Sequence, residues 1–338
     1  MTPFINAKSK NYQTARRNSY FINDAGGNPE VIRWWNGKAS PIDFTNEEAA
    51  RWYCELLQAS KLKNGLKSFK FDAGETTYLP DSGLEFASAP DKNPGAYTKL
   101  YASAAYCAGG VAMEMRSAWK NQWMPTFTRI MDKGSSWDLF RSLKTVIPTV
   151  LTFGMIGYPF VIPDMIGGNS LPGRQEKPDR ELYIRWLQLT AFLPVMQFSI
   201  APWQYDDQVN DLGRRFVEIH ETIVYPEIIR ASERYVAGEM VLPAAPLWFE
   251  EDFSRLDSPS FEISDQFVVG DRYMIAPILD QGQTERDIYF PGSADVVWKD
   301  KMKEDCDVTG DDSCFVRGGS WIKNYQVSLS EISWWEKM

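Results

Sequence analysis

Short β-rich segments alternate with helical ones through about residue 238, and this alternation is what most limits the folds open to the chain. PFIN (3–6) is followed by a helix beginning near Thr45, where Thr45 and Glu48 have capping-box spacing and Trp52, Leu56 and Leu57 follow on one face. LKSFKFD (66–72) reads as an alternating strand introduced by Asn64 and Gly65, and a helix over 97–109 leads to VAMEMR (111–116). PTFTRIMD (125–132) precedes a helix over 136–151. YPFVIPD (158–164) precedes one over 180–192, and VMQFS (195–199) one that ends near Ala237. Such alternation implies a parallel sheet with helical cover, either doubly wound or closed into a barrel. Asp72, Arg116, Asp132, Asp164 and Ser199 stand at the C-terminal ends of successive strands. In a barrel those ends converge on one mouth, where enzymes of this fold place their catalytic groups.

Beyond residue 238 the pattern changes to short β-rich runs between turn residues, among them DQFVVGDRYMIAPIL, RDIYFPG and ADVVWKD. That is the signature of an antiparallel β domain, expected over 239–338. The formal net charge is −9 and the basic residues are scattered, which excludes the cationic footprint of a nucleic-acid-binding protein. Aromatic residues make up 14% of the chain, with 13 Trp, and indole faces are surfaces on which sugar rings can stack. Most such residues pack in cores, so the content alone decides nothing.

With one histidine, His220, and four cysteines at Cys54, Cys107, Cys306 and Cys314, no zinc-type cluster can be assembled, and no metal or cofactor is expected. Cys306 and Cys314 flank a polar, Gly-containing stretch that could turn back on itself, so they form either a disulfide or two free thiols. No stretch approaches the ~18 apolar residues of a membrane span, and the first residues lack the basic and apolar regions of a signal peptide.

Glycoside hydrolysis with retention needs two carboxyl groups, one to attack the anomeric carbon and the other to protonate the leaving oxygen. Asp72 is the candidate nucleophile, and Lys70, two residues earlier on the same face, could hold its carboxylate ionised. A strand-end Asp can equally do no more than cap the next helix. Asp132 is the second carboxyl.

FKFDAGE resembles the nucleophile motif of glycoside hydrolase family 31, the retaining α-glycosidases. WWNGKASPIDFTNEEA, MRSAW, IGYPFVIPDMIGG, ELYIRWLQLTAFLPVM and DQFVVGDRYMIAPIL follow in the family's order, so the resemblance covers nearly the whole chain. KSFKFDAGETTYLP, FTRIMD and GYPFVIPDMIGGN are similar to an α-galactosidase-like branch that works in the secretory pathway, in the endoplasmic reticulum lumen or outside the cell. The resemblance implies Asp72 as nucleophile and Asp132 as acid/base. It implies Arg116 as a guanidinium that grips sugar hydroxyls or pairs with Asp164, Asp164 as that arginine's support, and Lys70 as a sugar contact.

Many members carry a histidine where PVMQFS places Ser199, so the glucose-type grip on the sugar is absent here. Trp203 in APWQYD would either floor the site or pack in the core, and Arg129 stands where the family commonly has Trp. By the same resemblance PFIN is the third barrel strand. The fold expected is therefore a partial (β/α)8 TIM barrel of strands 3 to 8 over 1–238, then an antiparallel β-sandwich, in a piece of a longer protein. The substrate expected is an α-linked oligosaccharide or glycoconjugate, and a homodimer is compatible with the full-length form. The competing readings are a non-catalytic carbohydrate-binding or scaffold relative, and an α-glucosidase or α-xylosidase of the same family.

Overall fold

The structure, a computed structural model, describes residues 1–88, 95–110, 112–169, 177–251, 257–303 and 314–338. Two compact units divide it, Met1–Arg129 and Ile130–Met338.

In the first unit, Phe4–Ile5 pairs antiparallel with Gly37–Pro41, which forms a hairpin with Ile32–Trp34. The helix Glu47–Asn64 follows. Its N-cap is Asn46 rather than Thr45: the Asn46 side chain accepts from the amides of Glu48 and Ala49, while Thr45 turns its hydroxyl to Asp43. The buried face is Ala49, Tyr53 and Leu57, at i, i+4 and i+8. Gly65, with φ 63°, closes this helix in the left-handed conformation and does not introduce a strand.

Three short parallel strands then form one sheet: Lys70–Phe71, Glu114–Met115 and Phe127–Arg129. Phe71, 1% exposed, points into the helical layer, where Tyr101 of the helix Ala96–Tyr106 meets it edge-on at 6.4 Å. Alternation along the strand therefore sends Lys70 and Asp72 to the opposite face. A disulfide, Cys54–Cys107, ties the helix Glu47–Asn64 to the end of Ala96–Tyr106. The cysteine spacing gave no sign of it.

In the second unit, the Ile130 amide donates to the Ile162 carbonyl at 3.1 Å, aligning the segment before Asp132 with Val161–Ile162. The helix expected from Ser136 starts later, as a 3-10 turn Leu143–Thr145 running into Val146–Met155. The Asp138 carboxylate takes the amides of Phe140 and Arg141, an alternative to helical hydrogen bonding that Asp commonly offers. Every residue from 182 to 190 in the helix Arg180–Thr190 is buried. The expected strand 195–199 reduces to a single parallel bridge between Met165 and Gln197, because Pro194 supplies no amide and Phe198 and Ser199 face solvent.

Helices Asp207–Ile219 and Tyr225–Val236 are joined by a π segment, His220–Val224. Pro226 has no N–H to continue the α-helical ladder there. Beyond it lie an antiparallel sheet of six strands and a two-stranded sheet, Glu285–Phe290 with Ser320–Gln326. They share a core of Val268, Met274, Ile288, Phe290, Trp298 and Trp335. Buried Arg185 and Gln188 donate to the carbonyls of Gln283, Ser328 and Leu329, fastening the helix Arg180–Thr190 to this β domain. Cys314 is disulfide-bonded and Cys306 lies outside the described residues.

The Cys54–Cys107 bridge closes a separation of 53 residues, for which the chain-entropy model gives about 4 kcal/mol. Replacing both cysteines by serine should lower unfolding free energy by about that amount in denaturant titration. A loss below about 1 kcal/mol would show that the helices are held without it.

Candidate active site

Register builds the cluster in the first unit. Lys70 pairs with Glu114 and Glu114 with Phe127, and the amides of Glu114 and Arg116 donate to the carbonyls of Phe69 and Phe71. Two residues further along each strand, Asp72, Arg116 and Arg129 form the next row on the same face.

The Asp72 carboxylate is bound through one oxygen. Oδ1 accepts from the Ala73 amide at 2.9 Å and Arg116 Nη1 at 3.0 Å, and Arg129 Nη2 lies 3.5 Å away. Arg116 Nη2 reaches Glu75 Oε1 at 3.3 Å. Arg129 Nε stands 3.0 Å from Glu114 Oε1, close but not aimed for a hydrogen bond, so the contact is an ion pair. Lys70 Nζ lies 3.1 Å from the same Glu114 oxygen. Lys70 thus engages Glu114, and the cations that hold Asp72 are Arg116 and Arg129.

Burial pushes the Asp72 carboxyl up, but the Ala73 amide, Arg116 and Arg129 together outweigh it and hold the group below the ordinary carboxylate value. Its ionised form therefore stabilises the folded state above the ordinary carboxylate range, and that contribution is lost as pH falls through the lowered value. The main chain beside it is fixed by three hydroxyls: Tyr101 donates to the Asp72 carbonyl, Ser117 to Ala73 and Thr98 to Gly74. Gly74, at φ 91°, admits the Tyr101 ring, into which a Cβ would project.

In the second unit, Asp132 Oδ2 accepts from Asn169 Nδ2 at 2.8 Å, and the Asn169 amide donates to the Lys133 carbonyl at 2.8 Å. Asp164 is fully buried, sits in the left-handed region at φ 71°, and accepts the Lys133 amide at 2.6 Å. Burial lowers the Lys133 ammonium from its ordinary value despite the opposing pull of Asp164, and Lys133 Nζ reaches Thr149 Oγ1 at 3.0 Å. Two glycines make the turn possible. A Cβ on Gly168 would stand 2.9 Å from the Gly134 carbonyl carbon and 3.0 Å from the Ser135 amide nitrogen.

Ser199 is exposed. Trp203 is 73% exposed, so it is no core residue. With Phe198, Pro202 and Val217 it lines an apolar cleft of about 360 Å³. Glu75, Glu114 and Asn169 were not among the residues expected from the sequence, and Arg129 had no expected partner. Glu114 could have been found by the argument applied to Lys70, since it precedes Arg116 by two on a strand. Among the described residues no group of His, Cys, Asp and Glu could hold a metal ion.

Residues 1–224 match the glycosyl hydrolases family 31 TIM-barrel domain, and 238–322 match the glycosyl hydrolase family 31 C-terminal domain. The chain is 35% identical to the myogenesis-regulating glycosidase of Mus musculus, over 98% of this chain and 45% of that protein. It is 29% identical to the SITS-binding protein of Tetronarce californica, over 98% and 46%. A solved family 31 sulfoquinovosidase from E. rectale superposes with a TM-score of 0.81 at 21% identity, over 100% of this chain and 50% of that one. This last likeness bears on fold alone. The chain spans less than half the length of these two curated relatives.

Gly168→Ala should force the 167–169 turn away from Gly134 and Ser135, costing roughly 1–3 kcal/mol and releasing Asn169 from Asp132. Thermal melts compared with Asn169→Ala separate the two effects: Asn169→Ala should lose the Asp132 contact with little loss of stability. An unchanged melting temperature in Gly168→Ala would contradict the close approach.

Proposed function

Because this chain belongs to glycoside hydrolase family 31, we propose that the protein is a retaining α-glycosidase of α-galactosidase-like specificity, with Asp72 as nucleophile and Asp132 as acid/base. The observation that carries the reading is Asp72 itself: a strand-end carboxylate held ionised by two buried guanidinium groups suits a nucleophile. In the first step an Asp72 oxygen bonds to the anomeric carbon while the bond to the leaving oxygen breaks, and Asp132 gives that oxygen its proton. In the second, Asp132 takes a proton from water, the water oxygen bonds to the anomeric carbon, and the ester to Asp72 breaks.

Arg116, Lys70, Ser199 and Trp203 would contact the substrate, and Asp164 would support the site through the Lys133 amide. Among the described residues, Lys70, Arg116 and Arg129 form ion pairs with Asp72, Glu75 and Glu114. A short hydroxyl at Ser199 favours a galactoside over a glucoside or xyloside. The disulfide Cys54–Cys107 favours an oxidising compartment, in keeping with the secretory pathway. The 29% identity to a protein named for binding favours a second reading, a non-catalytic carbohydrate-binding or scaffold role.

A panel of aryl α-glycosides on the full-length protein tests the first reading against the second. Galactosides should be cleaved with retention at C1 and sulfoquinovosides should not, whereas saturable binding without turnover of any glycoside would support the second. Asp72→Asn should abolish turnover. Asp132→Ala should spare substrates with good leaving groups and be rescued by azide as the α-glycosyl azide. Equal loss on good and poor leaving groups would argue against Asp132 as the acid.

A further inference from the structure

Arg129 is 3% exposed, and a guanidinium so buried must be matched by negative charge. It bridges two carboxylates of adjacent rows, Glu114 at 3.0 Å and Asp72 at 3.5 Å. Glu114 is in turn engaged by Lys70, so the arginine is braced from behind. Arg116 and the Ala73 amide act on the same Asp72 oxygen as Arg129, Oδ1. Among the described residues every donor to the Asp72 carboxylate is on Oδ1 and none is on Oδ2.

We propose that Arg129 is a positioning residue: braced by Glu114 and Lys70, it joins Arg116 in pinning Asp72 through Oδ1, which leaves Oδ2 as the oxygen presented to the anomeric carbon. This deepens the glycosidase reading and rests on it for the role of Oδ2. A carboxylate anchored at one oxygen keeps a fixed plane, and a fixed plane is what an in-line displacement needs. Arginine suits the task because its planar fork can serve two carboxylates at once, which an ammonium does less well.

The test compares the full-length protein with Arg129→Met, Arg129→Lys and Glu114→Gln. The first readout needs no turnover: the Asp72 carboxyl is titrated by ¹³C NMR, its signal assigned by comparison with Asp72→Asn. Arg129→Met should raise the midpoint, and Arg129→Lys should restore most of it. The second readout is covalent labelling of Asp72 by a 5-fluoro-α-galactosyl fluoride, followed by peptide mass spectrometry. Labelling and kcat should fall roughly 10- to 100-fold in Arg129→Met with KM little changed, the scale expected when a reacting group is misplaced. Arg129→Lys should recover only part of kcat, and Glu114→Gln should move both readouts in the direction of Arg129→Met by less.

An unchanged midpoint in Arg129→Met overturns the proposal whatever the activity, as does full recovery of kcat by Arg129→Lys. Should Arg129→Met fail to fold, Glu114→Gln carries the comparison, and unaltered titration and kcat in that variant overturn it. Failure of the wild type to label at Asp72 would refute the glycosidase reading instead, with the NMR comparison still deciding whether Arg129 is coupled to Asp72.

Discussion

Parallel register between three short strands is the constraint on which the Asp72 cluster depends. Lys70 opposite Glu114 opposite Phe127 forces Asp72, Arg116 and Arg129 into one row, two residues on. A slip of one residue in any strand would turn its charged side chain to the face where Phe71 packs on Tyr101. The aromatic packing on one face and the charge alternation on the other therefore specify the same register. Each makes the alternative pairing costly, the first by exposing large rings and the second by burying unmatched charge.

The second unit reaches a similar end by different means. Asp132 and Asp164 are placed by loop geometry, Asp132 accepting from the Asn169 side chain and Asp164 from the Lys133 amide. The Asp164 carboxylate accepts the Lys133 amide, the Lys133 carbonyl accepts the Asn169 amide, and the Asn169 side chain donates to the Asp132 carboxylate, so side chains and backbone together tie the two loops. This arrangement tolerates little change in backbone path, which is why glycine occupies 167 and 168, both with positive φ.

Much of this was legible in the sequence because period-two alternation and strand-end carboxylates are local signals. The barrel segments, the β domain and the candidate residues Asp72, Arg116, Asp132 and Asp164 follow from them and from motif resemblance. What escaped was set by tertiary contact. Cys54 and Cys107 pair because two helices lie side by side, a fact that no spacing encodes. Trp203 has the composition of a core residue but lies on an exposed turn, Pro202–Gln204. The strand expected at 195–199 has the right apolar residues, yet Pro194 and the exposure of Phe198 and Ser199 leave it one bridge. Asn46 outcompeted Thr45 as a cap because Thr45 is engaged by Asp43, which also accepts the Ala87 amide at 2.6 Å.

Among the described residues, five charged side chains gathered on one sheet face with Glu75 beside them are a poor way to gain stability. Buried ion pairs seldom repay their desolvation, and apolar residues of like volume often do better. The cluster persists on a scaffold that is rigid for other reasons. Tyr101 donates its hydroxyl to the Asp72 carbonyl and packs on Phe71, and its helix is fastened at Cys107 to the helix Glu47–Asn64. The disulfide contributes on the order of 4 kcal/mol by restricting the unfolded chain, without adding any contact to the site. Stability drawn from a cross-link behind the sheet, and not from the charges in front of it, leaves those charges free to be arranged for their effect on Asp72.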